Sequence, residues 1–451
     1  MNIQLSDHFT YGRLLRFTLP SIIMMIFTSI YSVVDGLFVS NLVGDMALSA
    51  VNIVFPVTMI LGAFGFMLGT GGSAIVACTK GEGKRELADR YFSMIICAVL
   101  VLGTVLSVLG GVYAGPIARL AGASDALMPD CVAYGRIMLG GSVAFMLQTT
   151  FQSFFVVAER PRLGLVFTVA SGLTNMVGDY IFIAGLKLGV TEAAMATVLG
   201  YLVGGTIPFF LFLSGRLPLR LTATRLYPKE LLEACGNGSS ELMSNLSSSL
   251  VGILYNWRLM AMLGEQGVAA YSVMMYVDFI CLATFFGFSI GSAPVISYHH
   301  GAANHRELRS IFRKCMVLVL AASGMIVVLS ELISRPLSAA FVAYDSELLA
   351  MTVHGFRLFA LCYLFCGLNV FASSFFTALC NGGISAILSF SRTLVLRGGM
   401  VILLPLALKT DGIWLAVVAA EGIGAAMSLA VLWKKRKQYH YLYNIRTNIL
   451  I

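Results

Sequence analysis

Several acidic side chains lie inside long apolar runs of this sequence, where a carboxylate could bind a metal ion, an organic cation or a proton. Where such a run crosses a membrane, an ionised acid costs about 3 kcal/mol or more, so its presence indicates function by default. Glu331 is the exception, because it lies near one end of its run and a structural hydrogen bond would explain it. The acids inside apolar runs are Asp35, Asp179, Glu241, Asp278, Glu331 and Glu421.

Asp35 and Asp179 are predicted to lie at a similar depth in two different helices. With a helical rise of 1.5 Å per residue, Asp35 lies about 28 Å beyond Arg16, and Asp179 lies about 25 Å beyond Arg162. We expect both arginines to mark helix starts on the same side of the membrane. Thr197 lies about 12 Å into a helix that returns from the opposite side. All three residues therefore belong to the same half of the membrane.

Polar residues accompany the two acids at one-turn spacing. Tyr31 precedes Asp35 by four residues, and Asn175 precedes Asp179 by four, so each pair shares a helix face. With Thr197, these side chains would form a cluster of hard oxygen ligands that could hold a sodium ion. Alternatively, two neighbouring carboxylates could share one proton. The residues alone leave both possibilities open.

Other polar residues are candidates for contact with a transported molecule. Glu241 lies among serines near the start of a helix, where it could attract a cation into a cavity or simply make a capping contact. Gln148 and Gln152 lie one turn apart and could line the same cavity or bridge helices. Asp278 is a further candidate for substrate binding, and for both Asp278 and Glu421 a structural hydrogen bond remains open.

The composition indicates that these residues lie in an all-α integral membrane protein. Of 451 residues, 58% are hydrophobic and only 12% are charged, whereas soluble domains carry about 25% charged residues. A membrane-spanning helix needs about 20 apolar residues. We predict twelve transmembrane helices, at about 15–41, 47–77, 92–115, 131–157, 163–187, 193–213, 237–263, 268–298, 312–333, 351–379, 385–408 and 412–433. The seventh has the weakest hydropathy.

The basic residues indicate how these helices are oriented. Most of the 30 Lys and Arg residues fall on one side when the N-terminus, the even-numbered loops and the C-terminus are placed together, a count that includes Arg392 and Arg397. By the positive-inside rule, both termini are cytoplasmic. The net charge of +8 is thus explained by topology, and we expect no nucleic-acid partner. We place the protein in the plasma (cytoplasmic) membrane as a multi-pass protein.

An internal repeat divides the chain into two six-helix lobes. The segment G-G-S-A-I-V-A-C-T-K-G-E-G-K-R-E-L, from Gly71, returns as G-S-A-P-V-I-S-Y-H-H-G-A-A-N-H-R-E-L, from Gly291. Nearly the same offset pairs Arg136 with Arg357. Because six is even, the repeat is parallel, and such lobes face each other across a central cavity. We predict an N-terminal lobe over 1–213, a cytoplasmic linker over 214–236, a C-terminal lobe over 237–433 and a basic cytoplasmic tail over 434–451.

The sequence resembles the multidrug and toxic compound extrusion (MATE) family, in the prokaryotic branch that includes the DinF-like and MepA-like proteins. The resemblance covers about residues 10 to 435. It rests on Y-S-V-V-D-G-L-F-V-S from Tyr31, T-N-M-V-G-D-Y-I-F-I from Thr174, A-A-M-A-T-V from Ala193, N-G-S-S-E-L-M-S-N-L-S-S-S from Asn237 and G-S-A-P-V-I-S-Y-H-H-G-A from Gly291. Each piece is short, and their order along the chain makes the match specific.

The resemblance implies an antiporter of organic cations that is driven by a sodium or proton gradient. The family's ion site maps onto Tyr31, Asp35, Asn175, Asp179 and Thr197. Its acid in the seventh helix corresponds to Glu241. Glu192 stands where the family usually has a small residue, and Asp278 matches no family position that we can assign. We expect a monomer that exports small organic cations through the lipid bilayer.

Two other functions remain as alternatives. A flippase for a lipid-linked precursor would carry several cavity arginines, for which the candidates are Arg136, Arg258, Arg357 and Arg397; the repeat suggests that Arg136 and Arg357 are structural. An enzyme would need a catalytic constellation inside the membrane, and of the histidines only His354 could lie deep in a helix. There is no P-loop motif for ATP. We therefore predict no catalysis, no cofactor and no metal beyond a possible sodium ion at Asp35 and Asp179.

Overall fold

The computed structural model describes residues 3–42, 45–185, 190–342 and 345–442, and within these ranges it contains helices and no strands. The all-α class is confirmed. Two π-helical segments, Tyr180–Gly185 and Ser391–Leu396, continue α7 and α13. The helices are α1 (Tyr11–Leu42), α2 (Asp45–Gly81), α3 (Arg85–Val112), α4 (Ala114–Leu120), α5 (Met128–Gly140), α6 (Ser142–Val157), α7 (Pro161–Asp179), α8 (Val190–Leu213), α9 (Pro228–Gly301), α10 (His305–Val342), α11 (Ser346–Ala360), α12 (Tyr363–Ala378), α13 (Gly382–Phe390) and α14 (Arg397–Tyr439).

The helices account for the twelve predicted membrane crossings. Eight are long and apolar enough to span a membrane, and the bent pairs α5–α6 and α11–α12 each qualify as one further span. Two of the eight contain a break: α9 turns at Gly264, where φ is 64°, and α14 turns at Lys409, where φ is 52°. A helix cannot continue through a positive φ, so each break separates two spans. Over the described residues this gives twelve spans.

The two halves of the chain share the same irregularities, which confirms the repeat. The α5–α6 pair bends by 46° and the α11–α12 pair by 45°. A π-helical segment follows α7 in the first half and α13 in the second. Positive φ angles occur at Glu159 and Cys380, just before α7 and α13, and at Gly83 and Ala303, just before α3 and α10. The bends and the positive φ angles lie at the offset that the sequence repeat predicts, whereas the two π-helical segments, which begin at Tyr180 and Ser391, are closer together than that offset.

Glycines bring the two lobes into backbone contact where α2 and α9 end. A Cβ atom on Gly81 would lie 2.0 Å from the carbonyl oxygen of Tyr298, and one on Gly301 would lie 2.0 Å from that of Cys78. Gly81 and Gly301 are themselves a repeat pair, so the contact is nearly symmetric. Small residues permit such close approach of membrane helices. By the predicted topology, this closed end faces the cytoplasm.

The segments outside the lobes are more helical than their composition suggested. The first lobe ends with α8 at Leu213, but α9 begins at Pro228, within the predicted linker. Proline at the first helical position has a φ already suited to a helix. At the other end, α14 continues to Tyr439, into the predicted tail. The division of the chain into lobes, linker and tail remains a prediction.

Candidate functional site

A cavity lies between the two lobes and is lined by residues from both. It contains about 970 Å³ of empty space, part of it open to solvent. Met25, Phe66 and Phe286 supply apolar surface, whereas serine and threonine hydroxyls cover much of the remaining wall. The N-terminal lobe contributes through α1, α2 and α6, and the C-terminal lobe through α9, α12, α13 and the following π-helix. Such a wall suits an amphiphilic molecule with few fixed hydrogen bonds.

Two charged residues line this cavity, Glu241 and Arg392. Glu241 lies on the first limb of α9, and its main-chain carbonyl accepts a hydrogen bond from Asn245 Nδ2 at 2.8 Å. Among the described residues its carboxylate forms no salt bridge. Glu241 and Arg392 are close enough to interact electrostatically, but they are not an ion pair. Within the part of the chain that the structure describes, the Glu241 carboxylate makes no capping contact, so it is available to a cation in the cavity.

Gln148 and Gln152 are buried in α6 and do not line this cavity. Gln152 Nε2 donates a hydrogen bond to Thr168 Oγ1 at 3.3 Å, which links α6 to α7. Gln148 packs against α8, where a Cβ atom on Gly204 would lie 2.7 Å from its side-chain amide carbon. In this structure both glutamines bridge helices, the second of the two roles considered for them. Contact with a substrate stays a prediction.

The predicted ion-site residues of the N-terminal lobe lie on three packed helices. Asp179 is the last residue of α7 and is fully buried, and Tyr31 on α1 is also buried. Asn175 Nδ2 donates to Thr197 Oγ1 at 3.1 Å, which joins α7 to α8. Tyr31 packs against α7 at Gly172. The side chain of Asp35 lies outside the described residues, so the cluster is seen here only in part.

The backbone changes form at the acid of α7. The π-helical segment Tyr180–Gly185 begins directly after Asp179. A π-helix inserts a residue into the helical ladder, and such segments are frequent at functional sites. A π-helix of the C-terminal lobe carries the charged residue Arg392. The irregularity therefore accompanies the charged positions in both lobes.

A second charged cluster lies in the C-terminal lobe. Glu421 is fully buried and accepts hydrogen bonds from Arg397 Nη2 at 2.8 Å, from Arg392 Nη1 at 3.1 Å and from Asn369 Nδ2 at 2.8 Å. Ser428 donates in turn to Asn369 Oδ1 at 2.9 Å. Glu421 thus takes the structural role that the sequence left open.

The positions of Arg392 and Arg397 correct the sequence analysis, which counted both with the cytoplasmic cations. Both residues lie on the helix formed by α13, the π-helix and α14. Their side chains are largely buried, with exposures of 7% and 16%. The sequence contained a sign of this burial, because both arginines fall inside the predicted eleventh helix and the predicted twelfth helix contains the acid Glu421. Periodicity did not show that the two helices present these charges to each other.

Asp278 does not line the cavity. It lies on the second limb of α9 with 6% exposure, in the core of the C-terminal lobe, and its Oδ1 has no hydrogen-bond partner among the described residues. Arg397 and Tyr363 lie close to it. This structure therefore does not favour direct contact between Asp278 and a substrate in the cavity.

Three of the four arginines considered for a flippase have other partners or positions, whereas the buried Nε of Arg258 has no hydrogen-bond partner among the described residues. Arg357 Nε donates to Ser334 Oγ at 3.1 Å and lies 3.8 Å from Glu331, the structural arrangement expected for these residues. Arg397 is bound to Glu421, and Arg136 is exposed. His354 is exposed as well and contacts Asp411 at 2.8 Å, so it is not a deep catalytic histidine.

Known proteins resemble the chain over nearly its whole length. The multidrug export protein MepA of Staphylococcus haemolyticus is 23% identical over 441 residues, which cover 95% of this chain and 94% of that protein. The FAD transporter of Shewanella oneidensis is 22% identical and covers 73% of this chain and 74% of its own length.

Solved structures share the fold. A multidrug resistance MATE family transporter of the MOP superfamily, in an outward-facing conformation, superposes with a TM-score of 0.90 over 98% of this chain and 99% of that one, at 22% identity. A MOP superfamily transporter from Pyrococcus furiosus, described as having a binding pocket of reverse polarity, gives 0.88 over 97% of this chain and 98% of that one, also at 22% identity. The MatE family profile matches residues 20–181 and 234–400, once in each lobe. The chain is a member of the MatE family.

Proposed function

We propose that this protein is a secondary antiporter that exports organic cations from the cytoplasm in exchange for sodium ions or protons. The observation that carries the proposal is the acid in the cavity between the lobes: Glu241 lines the wall, and among the described residues no base forms an ion pair with it. In an environment of low polarity, a carboxylate without a counter-ion attracts a cation strongly. The relatives named as multidrug export proteins support the same function.

The remainder of the cavity wall suits many different cations. Phenylalanine and methionine side chains adapt to ligands of varied shape, as at other promiscuous binding surfaces. Hydroxyl groups such as those of Thr70 and Ser289 can replace water around a ligand without imposing one geometry. We infer that charge and apolar surface, rather than a fixed set of hydrogen bonds, select the substrate.

We propose that the coupling site is the N-terminal lobe cluster of Tyr31, Asp35, Asn175, Asp179 and Thr197. Carboxylate, amide and hydroxyl oxygens are suited to a sodium ion, and two nearby carboxylates are suited to a shared proton. A ligand shifts a conformational equilibrium only by its differential affinity for the two states. Packing of Tyr31 on α7 and the Asn175–Thr197 bond make this cluster sensitive to the arrangement of three helices.

The predicted orientation belongs to the proposal. We place both termini in the cytoplasm of a cell whose plasma membrane holds the protein as a monomer without a cofactor. Single cysteines introduced at Ser124 and Asp345, in a background without other cysteines, should react with an impermeant maleimide from outside. Cysteines at Gly83 and Asn304 should react only after permeabilisation. The reverse labelling pattern would overturn the orientation.

A second candidate is a flippase or exporter for a molecule that carries an anionic group. It is favoured by Arg392 in the cavity wall, and by the presence of an FAD transporter among the relatives. Arg392 is already held by Glu421, so its charge is partly compensated. Because Glu241 has no such partner, we give export of cations precedence.

Reconstitution into liposomes tests the proposal. Ethidium efflux should follow an imposed sodium or proton gradient, and Glu241→Gln should reduce efflux of cations at least tenfold while zwitterionic or neutral compounds are spared. Asp125→Asn is a matched control, because Asp125 is an exposed acid paired with Arg119, and this variant should leave efflux unchanged. Export of phosphate-bearing amphiphiles and not of ethidium would instead support the second candidate. Equal loss for all compounds in Glu241→Gln would indicate a structural role for Glu241.

A further inference from the structure

Four charged groups form a cluster in the core of the C-terminal lobe: Asp278, Glu421, Arg392 and Arg397. Arg397 directs both Nε, at 3.0 Å, and Nη2, at 2.8 Å, to the same oxygen of Glu421. Asp278 forms no salt bridge among the described residues, although Arg397 lies close to it. One acid of the cluster thus holds both arginines, and the other holds neither.

Asp278 is deeply buried for a carboxylate without a cation. Its Oδ1 has no hydrogen-bond partner among the described residues, and its exposure is 6%. The charged groups near it are Arg397, Arg392 and Glu421 on the facing helices. The other titratable groups around it are phenols and thiols, namely Tyr255, Tyr271, Tyr363, Cys281 and Cys362. An ionised carboxylate in this place would draw a cation to itself, whereas a protonated one would not.

We propose that Asp278 is a proton-binding site in the C-terminal lobe and that Arg397 is the partner it shares with Glu421. The structure then represents the protonated form, in which Arg397 turns fully to Glu421. When the proton leaves the Asp278 carboxyl for water, Arg397 pairs with the Asp278 carboxylate, and Glu421 keeps Arg392 and Asn369. A hydronium ion returns the proton to Asp278, and no other bond is formed or broken.

This site would communicate with the cavity because Arg392 belongs to both. With Asp278 ionised, the charges of the four groups cancel. The region that also includes Glu241 then carries one net negative charge. With Asp278 protonated, the cluster gains one positive charge, and Arg392 in the cavity wall faces a Glu421 that is shared with Arg397. Proton and organic cation would therefore weaken each other's binding by the same factor. This link between proton binding and cation binding deepens the proposed function and rests on it. The proton site itself does not depend on the proposed function.

Infrared spectroscopy of the purified protein tests the proton site without any transport. A difference spectrum between low and high pH should contain the C=O band of a buried protonated carboxyl, and this band should be missing in Asp278→Asn. Asp125→Asn, which changes an exposed acid outside the cluster, should retain it. If Asp278→Asn does not fold, Asp278→Glu must shift the band instead. If the carboxyl band is unchanged in both Asp278→Asn and Asp278→Glu, the proposed proton site is wrong.

Cation binding tests the link to the cavity. At constant sodium concentration, the affinity of the protein for tetraphenylphosphonium should rise by up to about tenfold per pH unit across the titration of Asp278. Asp278→Asn should bind weakly at every pH, because it mimics the protonated form, and Asp125→Asn should behave as the wild type. An unchanged pH slope in Asp278→Asn would overturn the link. If the wild type binds no cation at any pH, the proposed function fails while the infrared result still decides the proton site.

Discussion

The two lobes repeat the same helices but place opposite chemistry in them. In the N-terminal lobe, Asp179 lies at the end of α7, directly before a π-helix and one turn beyond Asn175, whose amide donates to Thr197. In the C-terminal lobe, Glu421 is bound by two arginines and an amide, and one of these arginines occupies a π-helix. The repeat has thus preserved bends and helix ends but not these charged side chains.

Under the proposed function, the two acids have different tasks. We propose that Asp179, with the other residues of its cluster, binds the coupling ion or proton and so couples a gradient to a conformational change. A carboxylate that already holds two guanidinium groups has little to gain from one more cation. We therefore expect substitutions at the first acid to affect coupling, and substitutions at the second to affect stability.

The largest effect is expected in the N-terminal lobe. Asp35→Asn and Asp179→Asn should each abolish gradient-driven efflux from proteoliposomes, because the site loses a charge and a ligand together. The double substitution should be no worse than either single one, since neither carboxylate forms the site alone.

Binding of tetraphenylphosphonium and the thermal stability of both variants should stay close to wild type. Sodium-dependent protection of the cluster from labelling would indicate sodium, and pH-dependent protection without sodium would indicate protons. Normal efflux by both single variants under either gradient would show that the coupling site lies elsewhere.

Glu421→Gln should instead destabilise the C-terminal lobe. Removing one partner of a buried ion pair leaves uncompensated charge, here on Arg392 and Arg397, and typically costs about 3–5 kcal/mol. Thermal unfolding in detergent, followed by tryptophan fluorescence, would report the loss, since Trp414 is buried in the same lobe. If Glu421→Gln melts at the wild-type temperature but loses efflux, Glu421 does not have a structural role. The proposed difference between the two lobes would then be wrong.

Glu331→Gln should have the smallest effect of the three. Glu331 and Arg357 are 3.8 Å apart with side-chain exposures of 38% and 55%, and an exposed ion pair contributes about 0–1 kcal/mol. Its unfolding temperature should lie within a few degrees of wild type, and efflux should be unchanged. A drop in unfolding temperature as large as that of Glu421→Gln would contradict the expectation that burial determines how much each acid contributes to stability.

The sequence by itself determined the number of membrane spans, the parallel repeat and the burial of Asp179, Asp278 and Glu421. Apolar length and the cost of burying charge are local properties, so they can be recognised without knowing which helices touch. The structure also packs Tyr31 on α7 and bonds Asn175 to Thr197, which agrees with their one-turn spacing and equal depth, while the ion site itself stays a prediction.

Only the tertiary structure decided which charges meet. Arg392 and Glu421 lie on helices separated by a turn at Lys409, and helical periodicity does not reveal how two helices are rotated toward each other. For the same reason, the sequence could not place Asp278 in the lobe core rather than in the cavity wall, or Gln152 against Thr168. A side chain's partner across an interface depends on helix rotation and packing, which the sequence specifies only through the folded chain as a whole.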